Sequence, residues 1–143
     1  WLDGFPLSGL RVLDFGCGSG ILALAALKLG AAFACAVDID SQALIATRYN
    51  ARHNGLLAQL EIREARDPAP GPFDLVLANI LAGPLRQLAP DLARLCPAGT
   101  LLLAGLLDAQ AAELADAYSP WFDIETAARR EGWIALIGHR RAE

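Results

Sequence analysis

With 143 residues and 55% hydrophobic content, the chain has the length of one domain and enough apolar side chains to build its core, so a single domain over residues 1–143 is expected. A formal net charge of −4, with arginines scattered apart from the pairs Arg129-Arg130 and Arg140-Arg141, leaves no basic face for nucleic acid. The most apolar stretch, Ile21 to Val37, is interrupted by Lys28 and Gly30 and falls short of a membrane span, so a soluble protein is expected.

In chain order, Leu10 to Phe15 reads as a short apolar strand. It runs into glycines at alternate positions, Gly16, Gly18 and Gly20, and then into a helix that reaches Leu29 and is closed by Gly30. Glycines so spaced let the backbone turn sharply and come close to a ligand, while the helix start aims unpaired N–H groups at it. The spacing G-x-G-x-G is one residue shorter than the G-x-G-x-x-G of dinucleotide sites, and Asp14 adds a carboxylate at the loop. That charge would repel a pyrophosphate and attract the ammonium of an amino-acid tail. The expected cofactor is therefore S-adenosylmethionine; a tight turn without a ligand is the plainer reading of the glycines alone.

Phe33 to Asp38 follows as a strand that is apolar up to its last residue, as burial on both faces requires. Asp38 stands eighteen positions after Gly20, where an acidic residue can accept both hydroxyls of a ribose. The next helix, Ser41 to His53, needs an N-cap; Asp40 or Ser41 fits that task, leaving Asp38 as the ligand. Ala58 to Arg63 is the third strand, Pro68 to Pro72 a proline-rich loop, and Phe73 to Ala78 the fourth strand, entering Asn79-Ile80-Leu81. A helix from Pro84 to Leu95 ends at Cys96-Pro97-Ala98-Gly99, Thr100 to Gly105 is the fifth strand, and Asp108 to Tyr118 a helix. Phe122 to Ala127 and Trp133 to His139 close the chain, separated by Ala128 to Gly132, which is too short for a right-handed crossover and so predicts an antiparallel hairpin.

Strands alternating with helices predict an α/β fold, a seven-stranded mixed sheet with an antiparallel last strand and helices on both faces. Such a sheet resembles that of the Rossmann-like class I S-adenosylmethionine-dependent methyltransferases. Open α/β sheets bind ligands beyond the carboxyl ends of their strands, so Asn79 shares a rim with the glycine loop and Asp38. In methyltransferases of planar nitrogens, such an Asn is followed by Pro-Pro and an aromatic residue that stacks on the target. Here Ile80 and Leu81 follow, which argues for a flexible aliphatic amine and against a nucleobase; Asn79 as a turn cap is the alternative.

Cys17, Cys35 and Cys96 are odd in number and lack Cys-x-x-Cys spacing, so neither a disulfide framework nor a metal site is expected, and each reads as a small buried apolar residue in a reducing cytoplasm. His53 and His139 read as structural or exposed, Asp74 as structural, and Tyr49, Trp121 and Trp133 as packing aromatics. The chain opens on Trp1 and reads as a piece of a longer protein.

The stretches Val12 to Leu22, Val37 to Leu44, Ala78 to Leu85 and Glu131-Gly132-Trp133 together are similar to the bacterial ribosomal protein L-eleven methyltransferases over nearly the whole chain, with Asn79-Ile80-Leu81 the most selective part. The resemblance implies a cytoplasmic enzyme that trimethylates lysine side chains and the N-terminal α-amino group of one large-subunit ribosomal protein, a basic partner that an acidic enzyme would attract. Family members also carry an N-terminal substrate-recognition domain, a linker and a Phe-Gly-Thr-Gly segment that helps close the cofactor site; these are not in the 143 residues. Many methyltransferases hold the adenine amino group with an acidic residue just past the third strand. Arg63-Glu64-Ala65 occupies that region, making Glu64 the candidate and a backbone contact the alternative. The candidate cofactor residues are thus Asp14, Gly16, Cys17, Gly18, Gly20, Asp38, Ile39, Glu64 and Asn79, and the candidate catalytic groups are Asn79 and the backbone carbonyl of Ile80. The alternatives are an RNA or small-molecule methyltransferase, or a cofactor-binding module without catalysis.

Overall fold

The computed structural model describes residues 2–67 and 71–142, so Pro68, Ala69 and Pro70 of the expected proline-rich loop lie outside the described residues. Among these residues the strands β1 (Arg11–Phe15), β2 (Phe33–Asp38), β3 (Leu60–Glu64), β4 (Leu75–Asn79), β5 (Thr100–Leu107), β6 (Phe122–Arg130) and β7 (Trp133–Arg140) form one seven-stranded sheet. Its order is β3-β2-β1-β4-β5-β7-β6, with β1 to β5 parallel and β7 inserted antiparallel between β5 and β6. The direction of winding reverses between β1 and β4, and crevices at such a switch point bind ligands.

The central strands are apolar on both sides because both faces are covered. Val12, Leu75 and Leu77 face a layer with α1 (Ile21–Lys28), while Leu13, Val76 and Ala78 face the opposite layer, where the residues of α3 (Ala82–Gln87), α4 (Ala89–Leu95) and α5 (Ala111–Tyr118) pack. The remaining helix, α2 (Ser41–His53), starts at Asp40, whose carboxylate accepts the Gln42 N–H at 2.9 Å. At the opposite end of the sheet from the rim, the Asp74 carboxylate accepts the Arg11 N–H at 2.8 Å, a structural tie between β1 and β4.

The structure departs from the sequence reading at several boundaries. The helix expected from Pro84 to Leu95 is two helices that meet at Leu88, because Pro90 has no N–H to donate back and is tolerated only in a first turn, here that of α4. β3 begins at Leu60 because Leu57–Gln59 forms a 3-10 turn. β5 continues past Gly105 to Leu107 through a bulge. The last two strands lengthen until only Glu131 (φ 52) and Gly132 (φ 84) remain between them, a tight turn whose positive φ values match the twist of a hairpin. Tyr49 and Trp133 are not packing aromatics: they are 68% and 55% exposed, Tyr49 stacked on His53 along the outer side of α2 and Trp133 paired with Leu107 at the rim. Among the described residues, no helix is long and apolar enough to cross a membrane.

Candidate functional site

From β1 the chain turns through Gly16 (φ 80), Gly18 (φ 56) and Gly20 (φ 84), a run of left-handed backbone that only glycine adopts freely. The N–H groups of Gly16 and Cys17 donate to Val37 O at 2.8 and 3.0 Å, tying the loop to the end of β2. The glycines serve different ends. A β-carbon on Gly16 would collide with Ile80 Cγ2, whereas one on Gly18 would meet nothing within 4 Å. Gly16 is small so that the end of β4 can approach, and Gly18 is bare backbone beside open space.

That space is a cavity of about 500 Å3 at the switch point, within the usual range of small-molecule sites. Gly16, Gly18, Asp38, Ile39, Asn79 and Ile80 line it as expected, with Phe15, Ala65, Leu81, Pro84 and Leu88 completing the wall. Asp38 brings the carboxylate, fixed by N–H donation from Gly18 to Oδ2 at 2.9 Å and from Asp40 to Oδ1 at 3.0 Å. Ile39 is 89% exposed at the edge, and Ala65, tied by its N–H to Asp38 O at 3.0 Å, stands opposite.

Asp14, Cys17, Gly20 and Glu64 do not line this cavity. Glu64 pairs instead with Arg66 at 2.7 Å beside the cavity, leaving the wall there to Ala65. Cys17 is buried under the loop with Sγ 3.5 Å from Thr47 Oγ1, and Gly20 is packed against the Thr47 side chain. Asp14 is 1% exposed, and its Oδ2 accepts the Ala23 N–H at 3.1 Å, so it satisfies a first-turn donor of α1 that Gly20, the N-cap, has no side chain to meet. Its Oδ1 is buried with no hydrogen-bond partner among the described residues. Burial raises the Asp14 carboxyl from 3.8 to about 7, opposed by the Ala23 N–H and reinforced by the charge of Asp38.

Asn79 ends β4 beside Ala104 of β5, and Gly105 (φ +77) follows at the bulge. A β-carbon on Gly105 would lie 2.6 Å from Asn79 Oδ1 and 3.5 Å from Ile80 O, so the missing side chain of Gly105 lets the Asn79 amide pack against β5. Sequence reasoning missed Gly105, as well as Thr47 and Asn50 of α2, whose side chains donate to Gly18 O and Ser19 O. The signal for Thr47 was a polar residue at an inward position of an otherwise apolar stripe with Leu44 and Ala51. Among the described residues, no cluster of His, Cys, Asp and Glu is arranged to hold a metal ion.

Residues 1–141 match the family described as "Ribosomal protein L11 methyltransferase (PrmA)". A relative named ribosomal protein L11 methyltransferase from Pectobacterium carotovorum subsp. carotovorum (strain PC1) is 53% identical over 99% of this chain and 49% of its own length. One of the same name from Shewanella baltica (strain OS185) is 52% identical, also over 99% of this chain and 49% of its own. The chain thus spans about half the length of the curated relatives it matches. The crystal structure of a ribosomal protein L11 methylase from Lactobacillus delbrueckii subsp. bulgaricus superposes with a TM-score of 0.86 at 34% identity, over 99% of this chain and 75% of that one. A precorrin-6y C5,15-methyltransferase from Geobacter metallireducens GS-15 superposes at 0.81 with 17% identity, over 99% of this chain and 85% of that one; at that identity the likeness is one of fold, the Rossmann-like class I fold of methyltransferases.

Proposed function

The chain belongs to the ribosomal protein L11 methyltransferase family, and on that premise we propose that it holds S-adenosylmethionine and the transfer centre of an enzyme that methylates lysine side-chain and N-terminal amines of a large-subunit ribosomal protein. Three features fit the cofactor: the bare backbone at Gly18, the fixed Asp38 carboxylate at the cavity wall, and the unpartnered Asp14 Oδ1 beneath the loop. With S-adenosylmethionine bound, Asp38 would accept the ribose hydroxyls, Ile39 and Ala65 would flank the adenine, and the glycine loop would face the amino-acid end. When bound, the sulfonium supplies an already activated methyl group.

The protein's own task is alignment of a neutral amine. With an ordinary pKa of about 10.4, only about one lysine in a few thousand is neutral at pH 7, and an apolar wall of Leu81, Pro84 and Leu88 disfavours the ammonium further. Asn79 Oδ1 and Ile80 O accept the amine hydrogens and so turn its lone pair toward the methyl carbon. Among the described residues the cavity wall contributes no His, Lys or Cys as a base, and on this reading the amine loses its proton to water before transfer. The observation that carries this reading is that Asn79, Ile80 and Leu81 stand together in the cavity wall at the end of β4, with no flat ring beside them.

Methyl-labelled S-adenosylmethionine given to the full-length protein with purified large-subunit ribosomal proteins and, separately, with ribosomal RNA tests it. Label is expected in protein amines. Label in RNA would move the reading to a nucleic-acid methyltransferase, and cofactor binding with no transfer to either would leave a binding module.

A further inference from the structure

One face of α2 grips the glycine loop from outside the cavity. The Thr47 hydroxyl donates to Gly18 O at 2.9 Å, and Asn50 donates from Nδ2 to the next carbonyl, Ser19 O, also at 2.9 Å. Residues three apart share a helix face, so the two side chains meet successive carbonyls of the loop. Thr47 is fully buried at 0% exposure, and a β-carbon on Gly20 would stand 2.7 Å from its Cγ2. The Cys17 Sγ lies 3.5 Å from Thr47 Oγ1 on the same side of the loop. Neither Thr47 nor Asn50 lines the cofactor cavity.

A trans peptide is rigid and its N–H points opposite to its C=O. Drawing Gly18 O toward Thr47 therefore turns the Ser19 N–H away from α2. The Gly18 N–H is fixed in turn by Asp38 Oδ2 at 2.9 Å, so this glycine is held on both sides. Glycine at φ 56 has wide freedom, and a loop of three such residues keeps one shape only if its carbonyls are tied down.

We propose that Thr47 and Asn50 are positioning residues that fix the loop's peptide planes for the amino-acid end of S-adenosylmethionine, without touching the cofactor. This rests on reading the loop as the cradle for that cofactor. The loop faces the amino-acid end while Asp38 and Ile39 serve the nucleoside, so loosening the loop penalises one half of the ligand and spares the other. A role in stability alone would penalise neither half in a folded protein.

The test uses the full-length protein and two probes: S-adenosylhomocysteine, and 5′-methylthioadenosine, which keeps the nucleoside and lacks the amino-acid end. Affinities are measured by calorimetry at a temperature where circular dichroism shows each variant folded. Thr47→Val keeps the side-chain shape and removes the donor; it should weaken S-adenosylhomocysteine about tenfold, the worth of one such hydrogen bond, and 5′-methylthioadenosine less than about twofold. Thr47→Ser should restore most of the loss. Asn50→Ala, at a partly exposed position, should show the same selectivity at about threefold and keeps the question open to refutation if Thr47→Val does not fold. Equal losses on both probes, or none on S-adenosylhomocysteine, overturn the proposal. If the parent binds neither probe, the cradle reading itself fails, which is distinct from a parent that binds and variants that do not discriminate.

Discussion

Each oxygen of the Asp38 carboxylate accepts one backbone N–H, and a carboxylate offers about four acceptor positions, so about two remain for a vicinal diol. Asp38→Ala removes those and also frees the Gly18 N–H, so affinity for S-adenosylmethionine should fall roughly ten- to a hundredfold by calorimetry on folded protein; an unchanged value would take Asp38 out of the site. Asp14 gives a different signature because it titrates. Its folded value of about 7 exceeds the ordinary 3.8, so the folded chain holds the proton more tightly than the unfolded one. The stability this group contributes is fully present below about pH 4 and is lost as pH rises through about 7. Asp14→Asn removes the titration, so the melting temperature of the cofactor-free variant relative to the parent should climb between about pH 4 and about pH 7 and level off above it. Parallel curves would show that another group titrates.

Among the elements, β2 and α2 have the bounds read from the sequence, because a continuous apolar run and an Asp cap are local signals. The break between α3 and α4 is equally local, since Pro90 stands in the first turn of α4. Other features were not legible because they depend on register. That Gly16 makes way for Ile80, that Thr47 reaches Gly18 O, and that Gly105 opens space for Asn79 all require strands and helices distant in sequence to be brought side by side. The same dependence explains why Asp14, read as a loop carboxylate, is instead buried at the end of β1, where it closes the first turn of α1. Gly105 can be tested as part of β5. An alanine there carries backbone strain at φ +77 and pushes on Asn79 Oδ1, whereas Gly132→Ala at φ +84 carries the strain with no neighbour within 4 Å. Both should lose about 1–2 kcal/mol of stability, but only Gly105→Ala should lower methyl transfer, with S-adenosylhomocysteine affinity held within a few-fold. Asn79→Ala should give the same pattern in stronger form, a hundredfold or so. Matching turnover in the two glycine variants would sink the link between Gly105 and Asn79.

At the scale of the whole molecule, the sheet brings the Asp38 carboxylate of β2, the glycine loop that follows β1, and Asn79 and Ile80 at the end of β4 to one rim, all within a chain about half as long as its curated relatives. On the proposed reading, the residues that hold the cofactor and align the amine include these wall residues. Capture of a protein substrate is a different requirement. Bringing a lysine on a folded partner to the methyl carbon costs translational and side-chain freedom, which is offset only by contacts remote from the reacting atoms. Among the described residues the large exposed apolar side chains at the rim are Ile39, Leu81, Leu107 and Trp133, fewer than the roughly 20–30 residues a side of a specific protein interface. The isolated chain should therefore still bind S-adenosylhomocysteine yet transfer methyl groups to the ribosomal protein far more slowly than a full-length relative, with kcat/KM reduced by about a hundredfold or more. A free amine at high concentration, such as a short lysine peptide, bypasses the capture step, so on that substrate the two proteins should differ by much less. Radiolabel transfer measured on both substrates with both proteins decides it. Comparable turnover on the ribosomal protein would mean that the 143 residues themselves grip the partner, and a large deficit on the short peptide as well would mean that the transfer centre is not complete within them.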